Sequence, residues 1–280
     1  MVARQGKNRY FNKKAFHLSF RPKLIEWLTG ISIKLNFNRA TTHLAISIVD
    51  VVLSLYEVKE KQIKLITFIS LYMAAKMEDK DTSLPSLESV TELFDFEFDQ
   101  EDFENCEKMI FKILNYNLNI QSPIKFTTFF VYRGVVFDSD LPKNMCESNV
   151  DSLMTGFNYF LEVYLDASVM CYDMYRFTSI AVAAAIIACA RRASGLKACW
   201  NKRLDSLTLI NWESIEECVI LLEKFTVANF ANELGNQIIL TTPVKKQSIL
   251  TDASTGDRIV MRDKTKNGEE QLSEFEFDSN

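Results

Sequence analysis

Hydrophobic positions recur along the chain at helical spacing. Phe20, Leu24, Trp27 and Ile31 step by four, three and four, which is one face of a first helix. After the polar stretch Asn36 to Arg39, with Thr41 or Thr42 as N-cap, the stripe Leu44, Ala45, Ile48, Val51, Val52 and Leu55 predicts a second. From Ile63 to Ala75 the apolar character runs nearly all round, so this third helix is expected to be enclosed by others as the central helix of its half. A break from Thr82 to Pro85 precedes a short helix near Glu88 to Phe94, and Phe103, Cys106, Ile110 and Leu114 mark a fifth.

The plan then repeats. Ser122 and Pro123 mark the joint, serine suiting the cap and proline the first helical position. Helices are expected near Pro123 to Val135, Val150 to Val163, Arg176 to Arg192 and Asn211 to Ala231. The run Ile180 to Ala190 echoes Leu71 to Ala75 in its small residues, which let neighbouring backbones approach a central helix. Beyond Gln237 polar residues dominate, and a disordered tail is predicted. The layout is a basic arm (1–18), a first unit (19–121), a second unit (122–236) and a tail (237–280), and the class is all-α with two consecutive five-helix repeats. Only 8 Gly and 5 Pro punctuate 280 residues, too few turn formers for a many-stranded β architecture.

Charge and composition narrow the chemistry. A net charge of −5 argues against direct binding to nucleic acid, which requires a basic face. The longest apolar runs, Leu65 to Ala75 and Ile180 to Ala190, fall well short of the roughly 20 residues that span a bilayer, so no membrane partner is expected. Arg4, Lys7, Arg9, Lys13 and Lys14 make a short basic arm; it can serve as a nuclear address, although a solvated tail is the plainer reading. Residence in the nucleus, and also the cytoplasm, is the expectation. The six cysteines have no C-x-x-C spacing and the two histidines no metal-ligand pattern, so neither metal nor cofactor is expected. Cys106 and Cys189 read as reduced core thiols. No Gly-rich phosphate loop or nucleophile pair is present, so the chain is read as a non-enzyme without a small-molecule substrate.

Two charges disturb the pattern. Lys76 follows directly on the apolar central helix, and Glu107 interrupts the stripe of Phe103, Cys106, Ile110 and Leu114. An unpaired buried charge costs several kcal/mol, so the two should pair with each other or face a partner. A snorkelling lysine and an exposed glutamate at a misjudged helix angle would give the same pattern, and periodicity does not decide between these readings.

The segment from Arg21 to Phe130 resembles a cyclin box. Arg21, Asp50, Leu65, Lys76 (in Ala-Ala-Lys-Met-Glu-Asp79) and Glu107 (in Glu-Lys-Met-Ile-Phe-Lys-Ile-Leu114) carry the residue types of that family in its order. The second half is similar to the J-type branch of the family through Tyr159 to Val163, the series Trp200, Arg203, Leu204, Leu207, Thr208 and Trp212, and Cys218. The resemblance implies two cyclin-fold repeats and a regulatory subunit that forms a heterodimer with a cyclin-dependent serine/threonine kinase and activates it in cell-cycle control. It implies an ion pair between Arg21 and Asp50, although the helical wheel places Asp50 off the apolar stripe. It assigns Lys76 and Glu107 to hydrogen bonds around the kinase αC helix, and Tyr116 and Leu118 to apolar packing beside it. The alternative is a cyclin-fold adaptor in a transcription complex, which predicts a basic face.

Phe20, Leu24 and Trp27 match the frame of the substrate-docking patch that some cyclins carry, but Lys23 and Gly30 replace an aliphatic and an acidic residue, and Lys64 a glutamine. Docking of basic peptides is therefore expected to be weak or absent. Of two Ser/Thr-Pro-x-Lys sequences, Thr242 in the tail is the expected phosphosite and Ser122 the expected helix cap.

Overall fold

The computed structural model describes residues 11–56, 58–79, 84, 86, 99–141 and 147–234, with nothing described of the side chains at 60 and 61. The expected helix at Glu88 to Phe94, Thr242 and the tail from Gln237, and the arm residues Arg4, Lys7 and Arg9 lie outside them. In the first repeat α1 (Arg21–Lys34), α2 (Arg39–Leu55), α3 (Glu60–Glu78) and α4 (Gln100–Ile113) follow a 3-10 turn at Phe16–Ser19. The second comprises α5 (Pro123–Arg133), α6 (Glu147–Met170), α7 (Ser179–Ala193), α8 (Lys202–Thr208), α9 (Trp212–Asn229) and the single turn α10 (Ala231–Leu234). No strand occurs among the described residues.

Capping explains most of the helix starts. Asp99, Thr178 and Asn201 each accept a backbone N–H three residues on, at the first turns of α4, α7 and α8. Helix α2 begins earlier than the expected cap at Thr41 or Thr42: Asn38 is the cap and accepts from the Thr41 N–H at 2.9 Å. Pro22 stands in the first turn of α1 and Pro123 opens α5. Ser122 occupies the cap position of α5, but its hydroxyl makes no capping bond, so the expected cap holds for the backbone and fails for the side chain. Helix α8 was not anticipated, since seven residues are too short for a periodic stripe.

Two cores result. In the second repeat α7 is the central helix: every residue from Val182 to Arg191 is buried, with α5, α6 and α9 packed around its alanines. Enlarging one of these would overpack the bundle, at a cost of about 1–3 kcal/mol. In the first repeat α3 shares the centre with α2, which is buried from Thr41 to Leu53 except at Ser47. The wheel misplaced Asp50 for this reason. The face of α2 that turns from the first core meets the 3-10 turn and the second repeat, so only Ser47 of this stretch is partly exposed.

The repeats are joined by a buried ionic knot. Arg21 and Asp50 pair bidentately, Nε to Oδ1 and Nη2 to Oδ2, both at 2.8 Å. Asp50 also meets His17 Nε2 at 3.2 Å and accepts from the Tyr175 hydroxyl at 2.9 Å, while Arg21 donates to the Val169 and Met170 carbonyls, each at 2.7 Å. Burial alone would push the Asp50 carboxyl up; the Arg21 guanidinium and the hydrogen bonds outweigh it and hold the carboxyl below the usual range. On the flanks Arg39 bridges Glu162 and Asp166, and Lys125 bridges Glu78.

From Phe11 onward the N-terminal segment is not the solvated tail expected. Phe11 stacks on Tyr172, the Asn12 N–H donates to the Tyr172 hydroxyl, Lys13 pairs with Asp173, and His17 is fully buried. The burial expected of Cys106 and Cys189 is found; both are free, as are Cys171 and Cys218, and burial pushes their thiols up, that of Cys106 to about 12.

Candidate functional site

Lys76 stands in the last turn of α3, two residues before its end, where a positive charge complements the helix dipole. Glu107 lies midway along α4. The packing of α4 on α3 brings them together: Lys76 Nζ donates to Glu107 Oε1 at 2.7 Å. Neither is sealed in, the lysine side chain being 43% and the glutamate 21% exposed. Of the readings left open by the sequence, the two charges pair with each other, and they do so in reach of solvent.

Tyr72, one turn back on α3, completes the site and was missed from sequence. Its ring lies 4.8 Å below Lys76 Nζ and meets Phe103 edge to face. This gives the ammonium an aromatic floor as well as a carboxylate wall. The available signal was the spacing of four between Tyr72 and Lys76, which puts both on one face of a helix. The arrangement offers no nucleophile or metal ligand set, and no His/Cys/Asp/Glu group suited to a metal occurs among the described residues. It suits hydrogen bonding to a protein surface, with two ammonium protons and a second carboxylate oxygen left over among the described residues.

The other predicted residues divide. Tyr116 is 72% exposed, stacks on Phe111, and has a left-handed backbone (φ 58°), a conformation that costs a non-glycine residue about 1 kcal/mol or more. Leu118 is half-buried and packs on the first core, as does Leu65. Arg21 and Asp50 form the knot already described. In the docking frame Leu24 is buried with Arg21 and leaves the surface; Phe20 and Trp27 are half-buried against the same core, and Lys23 is exposed beside them. Leu24 is thus a core residue, 6% exposed.

Among the described residues the second repeat holds ion pairs that the sequence reading passed over, two of them on consecutive arginines. Arg191 pairs with Asp140 at 2.9 Å, both buried, and Arg192 Nη1 donates to both carboxylate oxygens of Glu223 at 2.7 Å. The signal was present in Arg191, a charge directly ending an apolar run just as Lys76 does.

Two family models match in tandem, "Cyclin, N-terminal domain" over residues 3–119 and "Cyclin, C-terminal domain" over residues 122–239. Among known proteins the chain is 24% identical to human Cyclin-J over 255 residues, which is 87% of this chain and 63% of that protein. It is also 24% identical to Cyclin-J of Xenopus laevis, over 72% of this chain and 54% of that protein, and to the G2/mitotic-specific cyclin-2 of Medicago sativa, over 73% and 57%. The chain thus spans less than two thirds of the length of these relatives. With both domain models matched in order and two helical repeats to carry them, the chain belongs to the cyclin family.

Proposed function

We propose that the chain binds a cyclin-dependent serine/threonine kinase through the surface around Lys76 and Glu107 and switches it on in cell-cycle control. The observation that carries this reading is the Lys76–Glu107 pair itself. The pair is partly exposed and, among the described residues, keeps unused hydrogen-bonding capacity at the surface, beside Tyr72. Exposed Tyr116 supplies an apolar contact of the kind interfaces favour. Similarity to cyclins named for G2 and mitosis supports the cell-cycle assignment.

The mechanism needs no chemistry from this chain. A protein kinase is competent when its β3 lysine pairs with the αC glutamate and its activation loop is ordered. A rigid helical surface that binds only that arrangement shifts the population by its differential affinity, and about 5.5 kcal/mol turns a 1:99 mixture into 99:1.

The test is co-purification with the kinase followed by a phosphorylation assay. Lys76→Ala and Glu107→Ala should each weaken kinase binding by about 2 kcal/mol or more while the protein melts like the parent. Variants that stay folded and still capture the kinase at full strength would refute the proposal.

A further inference from the structure

The chain is acidic as a whole, but one corner of the second repeat is not. Residues 108–137 and 174–204 contain no Asp or Glu, in a protein whose net charge is −5. The fold lays parts of these two stretches side by side. Buried Arg191 is the clamp, donating through Nη1 to the Val135 carbonyl and through Nη2 to the Ala198 carbonyl. Helix α8 also packs on α5, and the Arg203 guanidinium lies 4.4 Å from the centroid of the Phe137 ring. Arg133, Lys197, Lys202 and Arg203 are thereby gathered together, all of them exposed. The acids beside them are largely occupied. Asp140 is buried against Arg191 and Asp205 accepts from Trp200 Nε1 at 2.7 Å, while Asp138 is exposed.

Apolar surface adjoins these cations. Phe129 and Tyr132, three residues apart on the outer face of α5, are 53% and 72% exposed, and the Arg133 guanidinium lies over the Phe129 ring. Scattered exposed apolar residues are ordinary, but large rings bordering a cluster of like charges have the make-up of a contact surface. Cations held close together repel one another, and an acidic occupant relieves that repulsion.

The chain itself carries a segment of matching chemistry. From Glu269 to Asp278 it reads Glu-Glu-Gln-Leu-Ser-Glu-Phe-Glu-Phe-Asp, five acids with no Lys or Arg. Phe275 and Phe277 alternate with Glu274, Glu276 and Asp278, so an extended backbone would turn the rings to one side and the carboxylates to the other. Laid along the boundary between α5 and α8, such a segment would set its rings against Phe129 and Tyr132 and its carboxylates against Lys202 and Arg203. About 40 residues join Leu234 to Phe275, and a chain of that length can reach ~130 Å, so the tether does not restrict the contact. Tethering also lets a modest intrinsic affinity suffice. Nucleic acid is the poorer match to a chain of this net charge.

We propose that the face formed by α5, the loop 133–137 and the start of α8 binds the chain's own acidic segment Glu269–Asp278. The contact is separate from the surface around Lys76 and Glu107 and does not depend on kinase binding.

Photo-cross-linking in the full chain tests it. With Phe277→p-benzoylphenylalanine, irradiation of a dilute sample should yield cross-links concentrated in 123–137 and 197–209, as mapped by mass spectrometry. Arg133→Glu combined with Lys202→Glu, both at exposed positions and expected to melt like the parent, should cut that yield roughly fivefold or more. Adding Glu274→Lys and Glu276→Lys to the same chain should restore most of it. In the chain without these charge reversals, raising NaCl from 0.1 M to 1 M should also deplete the cross-links, because the screening length falls from ~10 Å to ~3 Å. Equal mixtures of 15N-labelled and unlabelled chains should give products of a single label. Mixed products would assign the face to the segment of a second copy and overturn the proposal. Cross-links absent from this face or scattered over others, or a yield indifferent to charge reversal and salt, would overturn it as well.

Discussion

Among the described residues each repeat carries a buried arginine–aspartate pair and an ion pair linking the end of its central region to its last long helix, but the two repeats use them differently. In the first, Arg21 holds Asp50 and then reaches out to carbonyls of the second repeat. In the second, Arg191 holds Asp140 and spends its other donors at home, on the Val135 and Ala198 carbonyls. The surface pairs differ in the same spirit. Arg192 engages both oxygens of Glu223, with Cys199 and the Trp212 ring near the guanidinium, so the pair satisfies itself. Among the described residues Lys76 makes a single bond to a single oxygen. A guanidinium has several donors, here Nη1 on both carboxylate oxygens and Nη2 on Cys199, whereas an ammonium is a point charge that leaves room for a third party. Similar packing thus yields a singly bonded ammonium pair in one repeat and a doubly bonded guanidinium pair in the other, both partly exposed.

The largest expected effect comes from the buried pairs. Arg21→Ala and Arg191→Ala each strand a buried carboxylate and should lower stability by about 3–5 kcal/mol in urea denaturation. They should differ in form: Arg21→Ala separates the melting of the two repeats, and Arg191→Ala keeps one transition. Identical unfolding profiles would remove the distinction between a pair that joins repeats and a pair that stays local.

Next in size is the contrast between the surface pairs. Arg192→Ala should cost about 1–3 kcal/mol of stability, because Glu223 is largely buried, and leave kinase capture unchanged. Lys76→Ala should do the reverse, with less than about 1 kcal/mol lost from the fold. Equal losses of capture from both would show that the second repeat also faces the partner.

The smallest effect is one of pH. His43 lies between Arg39 on its own helix and Asp166 across the joint, and burial lowers its pKa in the folded state. The unfolded chain therefore takes up a proton that the folded chain refuses, so this contribution to stability is full above about pH 6.5 and declines as pH falls below it. Melting temperatures measured from pH 7.5 down to 5.5 should fall, and His43→Gln should flatten that slope. An unchanged slope in the variant would exclude His43 as its source.

Much of this was legible in the sequence. The stripes of α1 and α4 and the continuous apolar run of α7 emerged because each of these helices has one dominant environment, and Lys76 and Glu107 stood out because they broke an apolar pattern. Asp50 was harder, since α2 is buried on opposite sides against different repeats and a wheel assumes a single core. The knot's other members, His17 and Tyr175, lie in 3-10 turns, where no periodicity points to a partner. Asp140 escaped for the same reason. Ser122 takes the cap position expected of it, and only three dimensions show that its hydroxyl makes no capping bond.

The knot also bears on biosynthesis. Arg21 meets its carboxylate only 29 residues later, but the carbonyls that complete its shell stand 148 and 149 residues downstream. While the nascent chain is extruded, the first repeat must wait with a half-coordinated guanidinium until the end of α6 clears the ribosomal tunnel. A chain released before Val169 would lack both carbonyls and leave the outer donors of that guanidinium to water.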